Sequence, residues 1–175
     1  PLLHKIDHKK DFIQALILCP TRELGKQVAK QLFRYTKYSE KIFTESVYGG
    51  EKIDKQIANL KRTTHIVVAT PGRLIDLVSK KALDLTRVKT VVLDECDEML
   101  SMGFKKELDE ILKFLPEVQS KWLFSATMPN GIKQMVHEHL TINSHRITVN
   151  RGNEVNAKID HKFILCDDSE KFLHF

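Results

Sequence analysis

Apolar positions along the chain fall into short runs rich in β-branched residues, at 15–19, 42–48, 65–69, 90–93, 122–125 and 146–149. Each run has the length and composition of a strand. Between them helical spacing takes over. Leu24, Val28, Leu32 and Tyr35 share one face, Ile53, Ile57 and Leu60 the next, and Leu108, Ile111, Leu112 and Leu115 continue the series. Strands alternating with helices predict right-handed crossovers and an α/β domain, with a mostly parallel central sheet flanked by helices on both faces. The pattern changes near the end. Residues 150–157 are polar, contain Gly152 and read as a linker, after which 159–166 resumes a strand-like pattern before Asp167 and Asp168. We therefore expect a first domain over 1–150, and a linker with the start of a second domain over 151–175; an edge strand of the first domain is the alternative for the last stretch.

The 175 residues are enough for one sizeable core and too few for two domains of usual size. An apolar share of 42% and a charged share of 29% are those of a soluble globular chain, and no run approaches membrane-spanning length. Three widely spaced cysteines, Cys19, Cys96 and Cys166, contain no CxxC pair, which points to a reducing cytoplasm rather than to zinc or disulfides. The net charge of +5 suits a polyanionic partner, although most lysines read as solvated surface. The opening Pro1-Leu2-Leu3-His4-Lys5 has neither an initiating methionine nor a signal-peptide layout, so the chain reads as a fragment.

Chemistry concentrates where strands stop. The run 91–93 ends in Asp94-Glu95-Cys96-Asp97, and a buried parallel strand delivers such acids to the sheet's carboxyl edge, where open α/β folds bind ligands. Magnesium takes one or two carboxylates together with phosphate oxygens, a role that fits Asp94, while Glu95 can orient or deprotonate an attacking water. An acid-rich helix start is the plainer alternative. After the first strand, Pro20-Thr21-Arg22-Glu23-Leu24 combines an N-cap hydroxyl with an arginine in the first helical turn, and Thr70-Pro71-Gly72-Arg73 repeats the design after the third. Gly49-Gly50 follows the second strand, where it permits close backbone approach or simply a turn. Taken singly, each is also explained by ordinary capping or turning; together they share one edge, suited to holding a phosphate backbone without reading its sequence. Ser125-Ala126-Thr127 ends the fifth run with two hydroxyls in reach of Asp97. Cys96 reads as a small residue packed behind the acids. His4 with His8 and His137 with His139 read as exposed, with no companion ligands.

PTREL, GG, TPGR, DECD and SAT, in this order and spacing, together with VVLDECDEMLSMGF and KWLFSATMP, resemble the first RecA-like domain of DEAD-box ATP-dependent RNA helicases over about residues 16–149. The resemblance implies ATP and magnesium as cofactors. It implies that Asp94 holds magnesium through water, that Glu95 activates the hydrolytic water, and that Asp97 meets Ser125 and Thr127 to link hydrolysis to strand separation. Thr21, Arg22, Gly50, Thr70, Gly72 and Arg73 would follow the RNA backbone, with Arg73 also pairing with Glu23. A second RecA-like domain of the same parent chain would close over both ligands.

The sequence departs from that pattern. Cysteine stands where the family's name has alanine, and Gly25 occupies an expected helix interior, where glycine costs about 1 kcal/mol relative to alanine if exposed. There is no GxxxxGK[ST] loop and no upstream glutamine motif within the 175 residues. The domain is thus expected to be N-terminally truncated, to hydrolyse little ATP by itself, and to leave apolar side chains and a strand edge exposed. A non-catalytic RNA-binding scaffold with the same fold is the alternative reading, and a DNA-directed helicase a third.

Overall fold

The computed structural model describes residues 1–38, 41–140 and 144–149. A compact unit spans Pro1–Ile142. Its centre is a sheet of five strands, β1 (Ala15–Leu18), β2 (Thr44–Val47), β3 (Ile66–Ala69), β4 (Thr90–Leu93) and β5 (Ser120–Leu123), in the order β2-β3-β1-β4-β5. Every pairing is parallel. The connecting helices are α1 (Arg22–Thr36), α2 (Ile53–Leu60), α3 (Pro71–Ser79), α4 (Cys96–Ser101), α5 (Lys105–Lys113) and α6 (Asn130–His139).

The three inner strands are buried at every position, which is why they read as unbroken apolar runs rather than alternating ones. Their side chains still alternate between faces. Leu16, Leu18, Val67, Ala69, Val91 and Leu93 point into the larger core, with Leu74, Leu77, Met99, Leu108, Ile111, Ile132 and Met135 from α3 to α6. Ala15, Ile17, Ile66, Val68 and Val92 point the other way, against Leu24, Val28 and Leu32 of α1 and against Leu2 from the N-terminal segment. One face therefore carries most of the helices and the other essentially α1.

Several expectations are corrected. Tyr35 is 72% exposed although it shares a face with Leu32. A helix of 15 residues is about 22 Å long, whereas four-residue strands span about 13 Å, so the last turn of α1 runs past the sheet. Gly25 is buried rather than exposed, against Val68 of β3. The fifth strand is Ser120–Leu123, two residues earlier than 122–125, because its backbone pairs with Thr90–Leu93. Residues 146–149 form no strand and are exposed. The expected linker at 150–157 and the strand-like 159–166 lie outside the described residues. At the sheet's margin, β5 has a strand neighbour on one side only among the described residues, and the adjacent Phe124 is 54% exposed.

Candidate functional site

Strand register decides where the motifs stand. Val47, Ala69, Leu18, Leu93 and Leu123, the last residues of the five strands, are paired each with the next across the whole sheet. The five turns that follow them therefore leave from one row. Across that rim the order is Gly49-Gly50, Thr70 to Arg73, Thr21 to Arg22, Asp94 to Asp97, and Ser125 to Thr127. Backbone bonds continue past the strands and fix the turns to one another: Cys19 N–H donates to the Ala69 carbonyl (2.9 Å), Asp94 N–H to Leu18 (2.9 Å) and Cys96 N–H to Phe124 (2.9 Å).

On the β4–β5 half the acids are open. Glu95 is exposed and its backbone lies in the left-handed region, φ 48° and ψ 52°. A non-glycine residue there costs on the order of 1–3 kcal/mol, and such strain clusters at active sites and ligand-binding turns. The bend separates the two neighbouring acids. Asp94 Oδ1 accepts the Glu95 N–H at 3.1 Å, while Asp97 turns toward the SAT turn and accepts the Thr127 hydroxyl (2.7 Å) and the Thr127 N–H (2.9 Å) on Oδ2. Burial pushes the Asp97 carboxyl up, but the Thr127 bonds, helped by the nearby Ser125 hydroxyl, outweigh it and hold the group below its ordinary 3.8. The hydrogen bond that Ser125 itself donates, at 2.6 Å, goes to the Thr127 carbonyl, so Ser125 shapes the turn and Thr127 makes the contact to Asp97.

Cys96 is fully buried, with its Sγ 3.5 Å from Met135 Sδ, as expected of a packing residue. Burial first, and then the Asp97 charge, pushes its thiol up to about 11. Cys19 lies buried behind the same acids, and burial, then Asp94 and Glu95, pushes it up to about 12. Neither thiol is a nucleophile at neutral pH.

The two hydroxyl-and-arginine turns share a pattern and differ in contact. Thr21 is a working N-cap, its hydroxyl accepting from Leu24 N–H at 3.3 Å, and Arg22 is exposed, lying 5.2 Å over the Tyr48 ring and beside Gly50. Thr70 has N-cap backbone geometry but makes no side-chain cap bond, and Pro71 follows it at the first helical position, where its fixed φ suits a helix start. Arg73 faces inward. Its guanidinium donates from both terminal nitrogens to the Glu51 carbonyl (3.0 and 3.1 Å) and to Gln56 Oε1 (2.9 Å), and Asp76 stands 3.9 Å from Nε. The pairing expected with Glu23 is not formed.

Gln56 completes that knot and was not singled out from the sequence. It is 2% exposed and donates to the Tyr48 carbonyl (3.1 Å) and to Glu51 Oε2 (3.2 Å) while accepting from Arg73. A signal was present: position 56 falls on the apolar stripe of α2, three residues past Ile53 and four before Leu60, where a lone glutamine needs partners. Tyr48 and Lys26 were also passed over; Lys26 Nζ lies 5.1 Å from the Tyr48 ring, opposite in sequence to the glycine turn it helps frame. Gly50 has φ +79°, a backbone that favours glycine, and a Cβ there would meet the Arg22 Nη1 at 3.3 Å, a contact to which the exposed arginine end can yield.

Away from the rim, His139 is not simply exposed. Its Nε2 is 2.7 Å from Asp109 Oδ1, and Lys105 Nζ bridges Asp109 (3.0 Å) and Glu138 (3.1 Å). Asp109, Glu138 and His139 are the one group of three potential metal ligands gathered among the described residues, and the Lys105 ammonium already bridges its two carboxylates. At the rim no three-ligand cage forms. Asp94, with one oxygen still free, matches the one or two carboxylates that magnesium takes when phosphate and water supply the rest.

The same arrangement recurs in known proteins. A family profile described as DEAD/DEAH box helicase matches residues 1–135. The chain is 43% identical over 178 aligned residues to the DEAD-box ATP-dependent RNA helicase CshA of Streptococcus pneumoniae, covering 98% of this chain and 32% of that protein. It is 41% identical to the ATP-dependent RNA helicase CshA of Listeria monocytogenes, covering 98% and 33%. It thus spans about a third of these relatives. Among solved structures, a DEAD box protein from Methanococcus jannaschii superposes with a TM-score of 0.73 at 39% identity, covering 79% of this chain and 38% of that one. The yeast DEAD-box splicing factor Prp28 gives 0.72 at 32%, covering 75% and 31%. With a RecA-like sheet, five motif-bearing turns along one rim and a family match over most of its length, the chain belongs to the DEAD/DEAH box helicase family.

Proposed function

We propose that this chain supplies the first RecA-like domain, 1–150, of a cytoplasmic ATP-dependent RNA helicase, with 151–175 leading into a second such domain that completes the site. The observation that carries the reading is the common row of strand ends, which sets the acids and hydroxyls on one half of the rim and the glycine and arginine turns on the other. Helix starts with free N–H groups and an exposed guanidinium suit a ribose-phosphate backbone. Thr21, Arg22, Gly50, Thr70 and Gly72 form that surface, while Arg73 works from behind by holding the glycine turn through Gln56. A non-catalytic scaffold would need the RNA turns but not Glu95 held in left-handed backbone, so the strained acid favours the enzyme.

On the other half, Asp94 would hold magnesium, which when bound offsets phosphate charge. Glu95, exposed and next to it, takes the proton of an attacking water. The Asp97–Thr127 bonds tie the helix carrying these acids to the SAT turn, so that movement of one is felt by the other. The isolated chain, lacking a phosphate loop of its own, binds RNA but turns over little ATP. The test is a titration of the chain with fluorescent oligouridine at several salt concentrations, alongside Arg22→Ala. A slope of log affinity on log salt shallower by about 0.7 in the variant supports the placement; an unchanged slope removes Arg22 from the RNA surface.

A further inference from the structure

The amino edge of the sheet, opposite the rim, holds a groove that none of this chemistry uses. A cavity of about 460 Å3 is formed by the segments that lead into β1, β3 and β4. It adjoins a second of about 330 Å3, the two sharing Val78, Leu83 and Asp84. Together they make one open depression along the amino edge.

Its charge is unbalanced. Arg62, Lys81 and Arg87 line the first cavity and Lys113 the second. None of the four has an ion pair or hydrogen bond to a side chain among the described residues; Arg87 is stacked 3.7 Å over the Phe12 ring, and Glu45 is near enough to Arg62 to feel its charge. Two carboxylates, Asp11 and Asp84, oppose them; Asp84 accepts the Thr86 N–H at 2.8 Å and its hydroxyl at 2.7 Å and is near enough to Arg87 to feel its charge. Lys81 stands at the end of α3 with φ 54°, a place where glycine would carry no strain, so the fold retains an ammonium there at a conformational cost. Among the cations the lining also carries the apolar side chains of Ile13, Leu60, Val78 and Leu83.

We propose that this groove docks an acidic peptide segment of a partner protein, with carboxylates on Arg62, Lys81, Arg87 and Lys113 and apolar side chains against Ile13, Leu60, Val78 and Leu83. The covered aromatic decides against RNA, whose bases need exposed stacking faces, since Arg87 lies over the Phe12 ring, whereas the apolar side chains beside the cations suit a peptide that carries both acids and aliphatics. Because groove and rim lie at opposite ends of the strands, both can be occupied at once.

The test uses the chain and a fluorescein-labelled ten-residue peptide alternating glutamate with leucine, followed by anisotropy at low salt. Binding is expected, weakened at least ten-fold in the Arg62→Glu/Lys81→Glu variant, unchanged in Arg22→Glu, and undisturbed by saturating oligouridine. Lys113→Glu, on the second cavity, gives an independent charge reversal if the double variant does not fold, and should weaken binding several-fold. Equal affinity in the folded groove variants, displacement by oligouridine, or no binding up to about 1 mM would overturn the proposal.

Discussion

Arg22 and Arg73 occupy matching places, each in the first turn of a helix that follows a strand and a threonine, yet the structure uses them in opposite ways. Arg22 is exposed and lies across Tyr48 at the rim. Arg73 is tied to Gln56 and the Glu51 carbonyl, with 12% of its side chain exposed. One guanidinium is available to a ligand and the other builds the turn that a ligand would meet. The difference comes from what lies beside each helix start: Arg73 has the loop entering α2 as a neighbour, which offers the Glu51 carbonyl and the Gln56 Oε1 as acceptors, and Arg22 has an aromatic face and a glycine. Repetition of a motif therefore does not imply repetition of a role.

The β4–β5 half of the rim sharpens the contrast, because there the open group is an acid. In the longer protein, Glu95→Gln should lower ATP hydrolysis by at least 10²-fold, the scale of a general base, while leaving nucleotide binding intact, since the amide fills the space but takes no proton. Steady-state turnover with an independent nucleotide-binding measurement separates the two. Arg73→Ala comes next. It strips Gln56 Oε1 and the Glu51 carbonyl of donors and should cost about 1–3 kcal/mol in urea unfolding, with weaker RNA binding as a consequence of a loosened glycine turn. Arg22→Ala should leave the unfolding midpoint in place and change the salt slope alone. If the two variants behave alike in both measurements, the distinction between them fails.

Smaller effects test the frame around these groups. Gly25→Ala puts a Cβ 3.8 Å from Val68 Cγ1, an ordinary contact, and relieves the glycine of its helix penalty, so a gain approaching 1 kcal/mol is expected in thermal or urea unfolding; a loss would mean that α1 and β3 sit closer than the geometry gives. The smallest effect concerns Asp97, whose folded carboxyl is held below its ordinary 3.8. A lowered folded value gives stability that is present above the unfolded value and is lost as pH falls through the folded one. The tie to Thr127 should thus persist at pH 5 and still hold at the ordinary carboxylate value of 3.8, and be lost only as pH falls further, followed by the Thr127 amide resonance, and Asp97→Asn should flatten that dependence.

Much of the fold was legible because it rests on period and length. The apolar runs before Thr21, Thr70 and Asp94 are buried on both faces, and nothing but an inner parallel strand satisfies them. The rim followed from the same fact, since parallel strands must end on one side. What could not be read was the direction of long side chains. Arg73 had a plausible acid in Glu23, and only the three-dimensional approach of α2 to α3 reveals Gln56 as its partner. Thr70 has the residue type of a cap, yet its hydroxyl makes no cap bond. The run at 146–149 carries strand composition but pairs with no strand among the described residues, since β composition reflects a fit to a pleated, half-buried surface rather than a backbone preference. Left-handed backbone at Glu95 has no sequence signature at all for a non-glycine residue, and it is the feature that most clearly separates the acids from an ordinary helix start.

The central claim is that the rim is divided, with RNA on the turns after β1, β2 and β3 and the nucleotide chemistry on those after β4 and β5. Amide chemical-shift mapping of the chain titrated with oligouridine tests it directly. The expected result is perturbation of Thr21, Arg22, Gly50, Thr70 and Gly72, with Asp94, Glu95 and the amino-edge residues Arg62 and Lys81 undisturbed. Perturbation centred on Asp94 to Thr127, or on the amino edge, would contradict it.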